Sequence, residues 1–130
     1  MSTLKRFEDL EIWQLARDQS RAFFQLSKAS YLNRDFELRK QMNASSGSVM
    51  DCIAEGFERS GNKEFSQFLL IAKGSNGEFR SQLYRCLDRQ YLNEELLEKL
   101  ILANQKLGNK LMAFASYLRN SEFKGQRYKF

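Results

Sequence analysis

Not one proline occurs in 130 residues. Proline breaks helices and is used heavily at turns and sheet edges, so its absence favours long uninterrupted helices over a sheet or a loop-rich architecture. A chain of this length is ordinarily one domain and can bury roughly two-thirds of the surface its unfolded form exposes. The hydrophobic share of 42% and charged share of 28% suit a soluble globular protein and argue against disorder over most of the length. Residues 1–6 lack the apolar core of a signal peptide, and no apolar run approaches the roughly 18 residues a membrane span needs. Cys52 and Cys86 lie far apart in a chain without histidine. Reduced thiols in a cytoplasmic protein are the reading that fits.

Apolar and small residues recur at helical spacing through four segments, which predicts helices over about 8–28, 34–59, 62–91 and 94–118. The inner stripes run Leu10, Trp13, Ala16, Ser20, Phe23, Ser27 in the first and Leu38, Met42, Ser45, Val49, Cys52, Gly56 in the second. They run Phe65, Phe68, Leu69, Ala72, Asn76, Phe79, Leu83, Cys86, Leu87 in the third and Leu97, Leu100, Ile101, Asn104, Leu107, Leu111, Phe114, Leu118 in the fourth. Asn33, Asn62 and Asn93 are placed to cap the last three helices, and Gly61 to end the second. Ser45-Ser46-Gly47-Ser48 has loop composition, yet the stripe stays in phase across it, so a helix is expected there. Gly74 and Gly77 lie off the centre of the third stripe, where another backbone has room to pack closely. Four amphipathic helices joined by short turns predict an all-α, antiparallel up-and-down four-helix bundle over residues 1–118, followed by a basic tail over 119–130.

Phe7-Glu8-Asp9-Leu10-Glu11-Ile12-Trp13 near the start resembles the opening signature of a bacterial four-helix-bundle family. Its best-known members are encoded in intervening sequences of large-subunit ribosomal RNA genes. Ile53-Ala54-Glu55-Gly56, Arg59, Phe65, Phe68-Leu69, Ala72, Gly74-Ser75, Glu78 and Gln82-Leu83 match the family's central pattern in order and spacing. The resemblance spans about residues 5–118. Met50 and Cys52 depart from it, standing where members often carry proline and asparagine. The resemblance implies a homo-oligomer, a ring of five bundles (a pentamer), with no enzymatic activity. In a related branch, the accessory proteins of diversity-generating retroelements, a basic pentameric barrel binds nucleic acid and a reverse transcriptase.

The residues themselves offer little to catalysis. Di-iron sites in bundles draw on Glu-x-x-His pairs, and histidine is absent. No imidazole is present to activate Cys52 or Cys86, both on inward stripes. No cofactor, metal site or catalytic residue is expected. Glu55 and Arg59 are four apart and suit an intrahelical ion pair. With Gly74, Ser75 and Glu78, they are candidates for a helix or subunit contact.

The functional signal is charge. The net +5 divides into +3 over residues 119–130 and +2 over residues 62–93, with the remainder summing to zero. Lys73 and Arg80 share a face of the third helix, and Arg85 and Arg89 share another. Lys124, Arg127 and Lys129 alternate with Phe123, Tyr128 and Phe130 in the tail. Basic groups interleaved with aromatics can follow a phosphate backbone and stack on bases. In a ring of five, +5 per chain becomes +25. The expectation is a non-enzymatic homo-oligomer binding RNA or DNA, structured RNA foremost, through these seven residues. The competing expectation is a protein-interaction scaffold, for example for a reverse transcriptase, without direct nucleic-acid contact.

Overall fold

The computed structural model describes residues 5–121, which form four helices and, among those residues, no strand: α1 Glu11–Ala29, α2 Phe36–Glu58, α3 Asn62–Asp88 and α4 Glu94–Arg119. The helical period located all four. Their ends answer to local chemistry that periodicity does not carry.

α1 begins later than predicted because Phe7–Asp9 close a separate 3-10 turn and Leu10 is extended at φ −75°, ψ 130°. The Phe7 ring packs edge-on against Trp13 at 5.3 Å and Gln14 Nε2 donates to the Glu8 carbonyl, latching the turn to the helix. Asn33 does not cap α2. It lies in a second 3-10 turn, Tyr31–Arg34, and its carbonyl and side-chain oxygens accept from Arg39. Asp35 is the cap instead, its carboxylate accepting from the Leu38 N–H at 3.3 Å.

The serine-rich stretch is helical, as its phase predicts. Ser45 Oγ donates to Gln82 Oε1 at 2.6 Å and Ser46 Oγ to the Met42 carbonyl at 2.8 Å, so both buried hydroxyls are satisfied. Gly61 turns the chain at φ 99°, which only glycine adopts without strain. Asn62 is not a cap but the first residue of α3, buried, with Nδ2 donating to Ser121 Oγ at 3.0 Å. α3 stops short of residue 91 because Gln90 is left-handed at φ 62°; Gln90 N–H reaches the Leu87 carbonyl and Tyr91 N–H the Cys86 carbonyl. That pair of bonds satisfies the Cys86 and Leu87 carbonyls in the last turn of the helix. Asn93 caps α4 as expected, accepting from Leu96 N–H at 2.8 Å.

Packing couples α2 to α3 and α3 to α4 most extensively, with α1 laid against α2 and α4. Side-chain bonds join Gln41 to Arg85, Ser45 to Gln82 and Ser48 to Ser75 between α2 and α3. Ser66 reaches the Ala115 carbonyl and Asn76 the Asn104 carbonyl between α3 and α4. Two apolar cores result. One gathers Ile12, Val49, Ile53, Phe65, Leu69 and Leu111; the other Phe23, Leu38, Met42, Phe79, Leu83 and Ile101. The predicted inner stripes of α1 and α2 are buried except at Trp13, Ser20 and Cys52, which lie half-buried at the border, while Ile12 and Ile53 join the core beside them.

Between the two cores stands a polar layer. Gln19 Nε2 donates to Asn76 Oδ1 at 2.9 Å, and Asn104 Nδ2 reaches Gln19 Oε1 at 2.8 Å and Asn76 Oδ1 at 3.1 Å. Gly108 makes room for it: a Cβ there would stand 3.2 Å from Asn76 Nδ2.

Candidate nucleic-acid interface

α3 carries four of the seven basic residues singled out in the sequence. Lys73 is exposed and Arg80 half-buried, seven residues apart, which sets them about 10.5 Å from each other along the helix axis at 1.5 Å per residue. Among the described residues neither forms an ion pair, so no carboxylate within salt-bridge distance offsets either charge. Both remain available to an anion.

Arg85 and Arg89 are differently placed. Arg85 Nη1 donates to Gln41 Oε1 at 2.8 Å, and Arg89 Nη1 meets Asp35 Oδ2 at 2.5 Å. Tyr91 donates its hydroxyl to the same carboxylate oxygen at 2.7 Å. The Tyr91 hydrogen bond, with those of Arg89 and the Leu38 N–H, holds the Asp35 carboxyl below its ordinary range despite partial desolvation. These two arginines therefore tie the end of α3 to the start of α2. Lys124, Arg127 and Lys129 lie outside the described residues.

Glu55 and Arg59 form the intrahelical pair at 2.7 Å, and Arg59 also meets Glu64 at the start of α3 at 3.1 Å. Its guanidinium lies over the Phe68 ring at 5.2 Å. Glu55 and Glu78 are both exposed. Ser75 shares a hydrogen bond with Ser48 at 2.9 Å, which places it at the α2–α3 contact. Gly74 and Gly77 have open space where a Cβ would project. Within the chain the close approach falls at Gly56, where a Cβ would stand 2.7 Å from both Phe65 Cδ1 and Phe68 Cβ.

Cys86 is fully buried, its Sγ 3.5 Å from Met42 Sδ, and burial pushes its thiol up to about 11. A thiol so placed stays protonated and inert at neutral pH. Among the described residues no three His, Cys, Asp or Glu side chains converge as metal ligands would. No described helix is long and apolar enough to cross a membrane.

A second cluster of cations escaped the sequence reading. Arg21 and Lys28 on α1 and Arg39 and Lys40 on α2 border a groove beside the exposed rings of Phe24 and Phe36. The available signal was aromatic residues off the inner stripe, flanked by basic ones.

Residues 8–113 match the family described as 23S rRNA-intervening sequence protein. The chain belongs to that family. A comparison with curated proteins found no match. The family's central pattern, placed on the structure, is largely a packing code. Ile53, Phe65, Leu69 and Ala72 fill one core, Gly56 admits Phe65 and Phe68, and Gln82 and Ser75 bond α3 to α2. Gln41, Ser45, Ser48 and Arg85 complete the α2–α3 seam from outside that pattern.

Proposed function

We propose that this member of the family is a non-enzymatic protein of the cytoplasm that binds nucleic acid, structured RNA foremost, through a basic surface on α3. The observation that carries the reading is the pair of exposed Lys73 and half-buried Arg80 on one side of α3, neither of them in an ion pair among the described residues. An exposed cation without a carboxylate partner can take a phosphate at no cost in broken ion pairs, releasing condensed counterions as it does so. The net charge of +5 acts in the same direction.

The bundle is read as antiparallel and up-and-down. Contacts between α2 and α3 support this, since partners of rising number on one helix fall in number on the other. Self-assembly into a homo-oligomeric ring is part of the proposal. Leu70, Ile71 and Tyr84 on α3 and Leu102, Met112 and Tyr117 on α4 are exposed large apolar side chains, which support a further interface. The same apolar surface is what the scaffold reading, with a reverse transcriptase or another protein as partner, would use.

Fluorescence anisotropy of a labelled RNA hairpin tests the binding reading. Saturable binding that weakens steeply from low to physiological salt is expected. Lys73→Glu with Arg80→Glu is expected to weaken it at least tenfold and lower the salt slope, with the melting temperature held. Unchanged affinity in that variant removes the α3 surface from the interface; no binding at low salt by the folded protein favours the scaffold.

A further inference from the structure

We propose that the groove between α1 and α2 is a seat for unpaired bases of a single-stranded nucleic acid, with Phe24 and Phe36 as stacking rings and nearby cations as phosphate partners. The proposal rests on the nucleic-acid reading above and adds to it a site, a ligand form and residues distinct from α3.

The groove has two lobes of about 450 and 250 Å³ that share Phe23, Phe24 and Asn43. Lys28, Arg39 and Lys40 line the larger lobe and Arg21 the smaller, and no carboxylate lines either. Four positive charges around a concavity without a negative one complement a polyanion. They do not complement an ordinary protein surface of mixed sign.

The rings supply the second half of the match. Phe24 is 57% and Phe36 66% exposed, a costly arrangement for two large apolar groups unless something covers them. Each has a cation over one face: Lys28 Nζ lies 5.4 Å from the Phe24 centroid and Arg39 Cζ 5.0 Å from that of Phe36. Arg39 is further held by the Asn33 carbonyl at 2.8 Å and Asn33 Oδ1 at 3.1 Å. A ring with an anchored cation beside it offers a base a stacking surface and its phosphate a charge at the same step. Asn43, where the lobes meet, offers an amide to a base edge. Stacking of this kind requires bases free of a helix, hence a single strand, loop or bulge and not a duplex.

A single-stranded RNA carrying 2-aminopurine and a blunt RNA duplex of equal length, each titrated with the full-length protein, separate the outcomes. The wild-type protein is expected to bind the single strand and change the 2-aminopurine emission. Phe24→Ala with Phe36→Ala is expected to lower single-strand affinity at least tenfold and abolish the emission change, leaving duplex affinity within twofold. Both positions are exposed, and the melting temperature verifies folding of the variant. Single-strand affinity within twofold of wild type overturns the proposal. Duplex binding without single-strand binding overturns it too, but leaves the α3 reading in place; binding of neither overturns both. A drop in oligomeric mass in the double variant, by light scattering, would show that the rings meet a second copy of the chain, and overturns the proposal equally.

Discussion

At Gly56 a single hydrogen stands where any other residue would place carbon 2.7 Å from Phe65 and Phe68. Phe68 Cβ is fixed to its backbone and cannot swing aside, so the helices would have to part. Gly56→Ala is expected to cost about 1–3 kcal/mol, read as a lower urea midpoint. Gly74→Ala, in a helix with open space around it, is expected to gain up to about 1 kcal/mol in the same measurement. A loss at Gly74 instead, accompanied by a fall in oligomeric mass, would place that residue in a subunit contact. The contrast shows what was legible in the sequence. Both glycines sit in helical runs and look alike there. Only the neighbour across the interface distinguishes them, and a neighbour 9 or 12 residues away in sequence leaves no periodic mark. The stripes were legible because burial repeats every 3.6 residues. The aromatic groove was not, because residues 17–43 hold six basic and three acidic groups whose net +3 vanishes when summed with the acidic residues on either side.

Elements meet at a clamp in which Asp35, ending a 3-10 turn and starting α2, accepts from Leu38, Arg89 and Tyr91. Since the folded-state pKa of Asp35 is lowered, the unfolded chain takes up its proton first as pH falls. The clamp's stabilisation is therefore full above the unfolded-state pKa near 4 and is lost as pH drops through the folded-state value. Asp35→Asn keeps a competent cap but discards the ion pair. That variant is expected to melt lower than wild type at pH 7 and to show a shallower decline below pH ~4. Parallel pH profiles for the two proteins would count against the clamp. The same geometry bears on charge reversal at Arg89, which would set two carboxylates face to face and disturb the α2–α3 join along with any binding. Lys73 and Arg80 are the cleaner positions for testing the interface, a distinction that charge spacing in the sequence did not contain. The sequence placed Asn33 as the cap because side-chain type is visible there, whereas the 3-10 turn that moves the helix start to Asp35 is not.

For the whole molecule, the proposed assembly is expected to scatter light as a multiple of the 15.3 kDa chain, with a melting temperature that rises with protein concentration. A single-chain mass at all concentrations would refute it. Assembly requires that each protomer arrive in one shape, and the band of amides through its middle bears on this. Gln19, Asn76 and Asn104 come from three helices, and each sits between apolar residues of its own stripe. Sliding any one helix by a turn would bring methyl groups opposite two amides and push the third into hydrocarbon. Leucine-faced helices alone would tolerate that slip at small cost. Here it would strand buried donors and acceptors at about 1–3 kcal/mol each. The amide band thus works as a registration mark, rejecting near-miss alignments before identical copies are asked to fit one another.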